Sequence, residues 1–150
     1  MTTLKKGDKA PSFSGIDQDG KSIQLADYVG KKLVVFFYPK ASTPGCTAEA
    51  CDLRDNFERF QANNYELLGV SADSVKAQAK FKEKYELPFP LLADEDKSVI
   101  QAFGVWGPKK FMGKEYDGIY RTTFVIDENG IIDEVIDKVQ TKDHASQIIK

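Results

Sequence analysis

Leu33-Val34-Val35-Phe36-Phe37-Tyr38-Pro39-Lys40-Ala41-Ser42-Thr43-Pro44-Gly45-Cys46-Thr47-Ala48-Glu49-Ala50-Cys51 is an apolar run that passes through a Pro-Gly turn into a segment of different period. Residues 33–38 are apolar on both faces, which suits a central parallel strand covered by helices. Beyond the turn, Ala50, Leu53, Phe57 and Phe60 recur at spacings of three or four, so residues 46–62 read as a helix with one buried face. A strand that delivers a thiol to a helix start places it where thiolates are stabilised. Cys46 and Cys51 are the only cysteines of the chain. The second thiol can capture whatever the first one forms. The pattern implies redox chemistry in which one cysteine attacks an oxidant and the other resolves the product.

Strands and helices alternate outward from this stretch. Asp19-Gly20 predicts a hairpin turn between residues 13–16 and 22–25. Residues 65–71 read as the next strand, 74–85 as a helix, 91–92 as a short strand and 97–103 as a short helix, with Asp94-Glu95-Asp96 as its acidic start. Residues 106–118 carry Gly107, Pro108, Gly113 and Gly118 and read as a mobile loop; Trp106, Phe111 and Met112 on it are candidates for an apolar rim or for ordinary packing. Residues 121–126 and 131–136 flank Asp127-Glu128-Asn129-Gly130 as a closing hairpin. A last helix covers 144–149, with Asp143 as its N-cap and His144 as a surface residue. The alternation requires crossover connections, and the hairpin adds antiparallel strands. The fold class is therefore α/β with a mixed central sheet flanked by helices and an N-terminal hairpin addition.

Composition narrows the function classes. The chain has 150 residues, 41% hydrophobic and 29% charged, as expected for one domain spanning 1–150. A net charge of −2 with no basic cluster beyond pairs such as Lys31-Lys32 and Lys109-Lys110 gives no footprint for nucleic acid, and the pairs read as solvated surface. The N-terminal residues lack the apolar core of a signal peptide, and the run at 33–38 is too short to span a bilayer. The expectation is a cytoplasmic protein, where a cysteine pair is more often catalytic or metal-binding than a structural staple.

Pro39-x-x-x-Thr43-x-x-Cys46 matches the active-site motif of the peroxiredoxins. The longer string from Tyr38 to Cys51 resembles the Q-type branch of that family, also called the bacterioferritin comigratory proteins. Gly7-Asp8-Lys9-Ala10-Pro11-Ser12-Phe13, Leu68-Gly69-Val70-Ser71 and Arg121-Thr122-Thr123-Phe124-Val125-Ile126-Asp127 extend the likeness through most of the chain. Ala41 and Ser42 stand where many relatives carry acidic residues. The resemblance implies a thioredoxin-like fold and a thiol-dependent peroxidase acting on hydrogen peroxide and organic hydroperoxides. It implies Cys46 as peroxidatic and Cys51 as resolving cysteine, joined in an intramolecular disulfide. The implied reductant is thioredoxin, with glutaredoxin as the alternative, and the implied state is a monomer. By the same resemblance Arg121 hydrogen-bonds the Cys46 thiolate and the peroxide, and Pro39 walls the pocket.

The residues themselves bear on these roles. The helix start and a hydroxyl donor at Thr43, three residues before the sulfur, both favour the thiolate, and a nearby cation favours it most. Glu49, one turn into the helix, fits the dipole rule as a structural residue; proton handling is its competing role. Five residues along an ideal helix separate two Cα atoms by about 8.6 Å, beyond the roughly 7 Å that a disulfide spans without backbone movement. If both cysteines lie on the helix, it must unwind before they bond.

Other readings fit less well. Two cysteines and the distant His144 fall short of the usual four zinc ligands, and copper delivery has no better ligand set. No motif for a flavin, nicotinamide or metal cofactor is present. A thioredoxin-type oxidoreductase uses Cys-x-x-Cys, a tighter spacing than the one here. A binding module would have no reason to keep Pro39, Thr43, Cys46 and Arg121 together.

Overall fold

The computed structural model describes residues 2–149, so Met1 and Lys150, the ends of the expected domain, lie outside the described residues. Its centre is a five-stranded sheet ordered β5-β4-β3-β8-β9. The strands are β3 (Lys32–Phe37), β4 (Tyr65–Ser71), β5 (Leu91–Ala93), β8 (Thr122–Ile126) and β9 (Ile132–Ile136). β3 runs parallel to β4 and β4 to β5, while β8 is antiparallel to both β3 and β9. The expected mixed sheet is present. So is the N-terminal hairpin, β1 (Ser14–Ile16) and β2 (Ser22–Gln24), whose turn uses Gly20 at φ +74°.

The double-sided apolar run of β3 packs as its sequence demands. Leu33, Val35 and Phe37 face one core with Phe103 and Phe124, whereas Val34, Phe36 and Tyr38 face the other with Phe81 and Phe89. Helices α1 (Pro44–Asp55), α2 (Phe57–Ala62), α3 (Val75–Lys84) and α5 (His144–Ile148) cover the second face, and α4 (Ser98–Ala102) covers the first. Rings of Phe37, Phe103 and Phe124 meet at centroid distances of 5.0 to 5.8 Å. Each such fully buried phenylalanine contributes roughly 1.5–3 kcal/mol relative to an exposed one.

Two expectations need correction. The helix expected over residues 46–62 is broken at Asn56, whose side-chain amide donates to the Asp52 carbonyl at 2.8 Å while its backbone N–H turns to Leu53 O at 3.3 Å. That side-chain bond competes with the helical ladder, as asparagine does. The stretch 106–118 is not an irregular loop. It forms a hairpin of β6 (Trp106–Phe111) and β7 (Lys114–Ile119), paired from Trp106↔Ile119 to Phe111↔Lys114. Met112 and Gly113 make its turn at φ +51° and +80°, the primed geometry of a two-residue hairpin. Pro108 is tolerated because this two-stranded ribbon is all edge. The acidic triplet does start α4: Asp94 accepts from Val99 N at 3.2 Å and Ile100 N at 2.8 Å. Among the described residues no helix is long and apolar enough to cross a membrane.

Candidate active site

The β3–β8 register explains how residues far apart in sequence converge. Phe37 pairs with Thr122 in antiparallel register, so Arg121 lies beside the end of β3, where the chain turns into α1. Thr43 is the N-cap of α1 in extended conformation and Pro44 is the first helical residue, a position that lacks an intrahelical N–H partner in any case. Thr47 N closes the first helical bond to Thr43 O at 2.8 Å. Cys46 therefore sits within the first turn, among free backbone N–H groups, and is 2% exposed.

Arg121 reaches the sulfur. Its Nη2 donates to Cys46 Sγ at 3.3 Å and its Nη1 donates to Glu49 Oε1 at 2.7 Å. Burial works against the guanidinium charge, and Glu49 and Cys46 outweigh it, so Arg121 holds its proton more firmly than usual. Gly45 makes room for this reach: a Cβ there would lie 3.3 Å from Nη2. The loop ahead of α1 is fixed from outside, because Asp73 Oδ2 accepts from Ala41 N at 2.8 Å and from Ser71 Oγ at 2.6 Å. Pro39 borders a cavity of about 270 Å³ that Trp106, Tyr116 and Ile119 also line; Phe111 and Met112 do not line it and stand exposed around the hairpin turn.

The Thr43 hydroxyl does not point its hydrogen at the sulfur. It donates to Lys40 O at 2.7 Å, so in this state it shapes the loop instead. Both cysteines are free thiols on the same helix, Cys46 buried and Cys51 partly exposed. The geometric condition for disulfide closure, unwinding of α1, thus applies.

Two residues differ from their sequence expectation more sharply. Glu49 is fully buried, and burial pushes its carboxyl up to about 7 even though Arg121 pulls it down. His144 is not at the surface: it is fully buried, with Nε2 2.7 Å from Thr123 Oγ1 and 3.5 Å from Glu49 Oε2. Its burial follows from α5 folding back onto α1, where Ala145 N donates to Asp52 Oδ2 at 2.8 Å. A signal for both was present in the spacing. Cys46, Glu49, Ala50 and Leu53 share one helical face, and His144, Ala145 and Ile148 share another. Lys109 also departs from the solvated pair expected: it is half-buried and donates to Ile119 O at 3.0 Å, and burial, with Arg121 nearby, lowers its proton affinity.

Known proteins resemble this chain in sequence and in fold. Residues 6–135 match the AhpC/TSA family. Peroxiredoxin Bcp of Escherichia coli strain K12 is 48% identical over 149 residues, covering 99% of this chain and 96% of that protein. A mutant of Xylella fastidiosa PrxQ superposes with a TM-score of 0.93 at 31% identity, over 99% of this chain and 95% of that one. The bacterioferritin comigratory protein of Xanthomonas campestris, solved as a trapped intermediate or ligand complex in work on alkyl peroxide reduction, gives 0.86 at 35% identity, over 91% and 87%. A thiol held under an arginine at a helix start, on a thioredoxin-like sheet shared with these proteins, places the chain in the AhpC/TSA family of peroxiredoxins, as a thiol peroxidase.

Proposed function

We propose that Cys46 is the peroxidatic and Cys51 the resolving cysteine of a peroxidase that reduces hydrogen peroxide and organic hydroperoxides and is recycled by thioredoxin, with glutaredoxin as the alternative reductant. The observation that carries this reading is the 3.3 Å contact between Arg121 Nη2 and Cys46 Sγ at the N-terminus of α1. Arg121 and the N–H groups of the first turn surround the sulfur, whose thiolate form is the nucleophile.

The thiolate attacks the terminal oxygen of the hydroperoxide. An S–O bond forms and the O–O bond breaks; sulfur is oxidised to sulfenic acid and the peroxide is reduced, its departing oxygen leaving as water or alcohol once protonated. Negative charge grows on that oxygen in the transition state, where the Arg121 guanidinium stabilises it. Pro39 keeps water from the sulfur, and Thr43 holds the loop through Lys40 O. Cys51 then displaces hydroxide from the Cys46 sulfur as water, giving the intramolecular disulfide. A dithiol protein reduces it by exchange. No metal or organic cofactor enters these steps. With the resolving thiol in the same chain, a monomer of one domain is sufficient, acting in the cytoplasm where thioredoxin is kept reduced.

One equivalent of peroxide added to the reduced chain should remove both thiols and then stop. Thioredoxin, its reductase and NADPH should restore continuous consumption, read as NADPH oxidation. Continuous consumption with no dithiol present, or no NADPH oxidation with the full system, would contradict this cycle.

A further inference from the structure

Behind Arg121, a buried carboxyl group meets a buried imidazole, and the thiol chemistry above uses neither. Glu49 and His144 are both fully enclosed, with Oε2 and Nε2 3.5 Å apart. Glu49 Oε1 accepts from Arg121 Nη1, whereas Oε2 has no hydrogen-bond partner among the described residues. A buried carboxylate oxygen without a donor strongly disfavours ionisation.

The bonds around the imidazole decide where its proton sits. Gln147 Nε2 donates to Lys138 O at 2.9 Å, and Gln147 Oε1 accepts from Gln140 N at 2.9 Å, so two backbone groups set the orientation of that amide. The same Oε1 lies 2.7 Å from His144 Nδ1, which must therefore be the donor. In a neutral imidazole Nε2 then carries a lone pair. It can accept from the Thr123 hydroxyl at 2.7 Å, and it faces Glu49 Oε2. An ionised Glu49 would set lone pair against lone pair; one proton on either atom makes the contact attractive. Burial raises Glu49 and lowers His144, which puts that proton on the acid and leaves the imidazole neutral. The other charged groups acting on the pair are Arg121 ahead of β8, Asp52 on α1 and Glu134 on β9.

We propose that Glu49 and His144 form a proton-holding pair, with His144 as a positioning residue that acts through Glu49 on the charge balance at Arg121. While the pair keeps its proton, the guanidinium charge is directed at the Cys46 sulfur. Once the proton leaves, ionised Glu49 at 2.7 Å takes up much of that charge, closer than the sulfur at 3.3 Å. Glu49 is raised to about 7, so the acid form dominates below that pH and the carboxylate above it. The reactivity of each thiolate should accordingly fall as pH rises through this range. The inference rests on the reading of Cys46 as the peroxidatic thiol.

The test uses the full chain carrying Cys51→Ser, alone and with Glu49→Gln, His144→Gln or both. Three quantities are followed against pH: the ultraviolet absorbance of the thiolate, the rate constant with peroxide divided by the thiolate fraction, and the infrared carbonyl band of a buried carboxylic acid. The parent should show the acid band below about pH 7 and lose it above, with the rate per thiolate falling across the same inflection. Glu49→Gln should abolish band and inflection together. His144→Gln can turn an N–H toward Oε2 and favour the carboxylate, so band and inflection should move to lower pH by about one unit, a tenfold change in proton affinity. The double variant should match Glu49→Gln. A uniform loss of rate with an unmoved inflection, or no acid band in the parent below neutrality, would overturn the proposal. The band needs no peroxide, so a chain that proved to be no peroxidase would still report on the pair.

Discussion

Cys46→Ser should abolish peroxidase turnover with every hydroperoxide, while Cys51→Ser should still consume one equivalent and then stop. The two thiols share a helix but not an environment. Cys46 is buried under Arg121, which donates to its sulfur in the first turn, and Cys51 lies further along, partly exposed, with Arg54 as the cation near it. A serine hydroxyl at position 46 stays protonated at neutral pH and is a far weaker nucleophile toward the O–O bond than a thiolate. In the Cys51→Ser variant no resolving thiol remains, so the product stalls as sulfenic acid, which dimedone traps and mass spectrometry assigns to position 46. Single-turnover rates for Cys46→Ser equal to the parent would assign the chemistry elsewhere.

Arg121→Lys should lower the second-order rate constant with peroxide by at least tenfold, about 1.4 kcal/mol of transition-state stabilisation. The charge survives this substitution; the planar fork does not. One guanidinium now serves Glu49 through Nη1 and Cys46 through Nη2, and a single ammonium cannot hold both directions while also meeting the peroxide. Arg121→Ala should cost more, but it also strips the buried Glu49 of its only hydrogen-bond donor among the described residues, so the lysine variant isolates the geometric effect better. Stopped-flow measurement of the first oxidation step checks both. A rate constant unchanged in Arg121→Ala would remove this residue from the site.

Local signals made the frame of the fold legible, and the misses have local causes too. The double-sided apolar run of β3 announces a covered central strand, and Thr43-Pro44-Gly45 marks the start of α1, because these depend on neighbours in sequence. The β6–β7 hairpin was hidden because its turn residues, Met112 and Gly113, sit between Gly107-Pro108 on one side and Gly118 on the other, so no alternation of apolar and polar residues stands out. The break at Asn56 comes from one side-chain bond to Asp52 O that leaves the helical periodicity unaltered. In the site, the motif pointed to Pro39, Thr43 and Cys46 and the wider resemblance to Arg121, whose Nη2 lies 3.3 Å from the Cys46 sulfur. The true partner of the Thr43 hydroxyl, Lys40 O, is a matter of loop geometry that no residue type encodes. The spacing of His144, Ala145 and Ile148 marks a buried face of α5, but what covers it, α1, is a contact between residues some ninety positions apart.

The most direct test of the central claim, that one helix carries both thiols and must open for them to bond, is amide hydrogen exchange on the reduced and the disulfide forms. In the reduced form α1 holds Cys46 and Cys51 in one continuous helix, about 8.6 Å apart at Cα by ideal geometry. Oxidation should strip protection from residues 43–54 while β3 stays protected, and the opened segment would present the disulfide to a reducing protein. Peptide mapping of the same sample should place the bond between Cys46 and Cys51. Equal protection over residues 43–54 in both forms, with that disulfide in place, would contradict the claim.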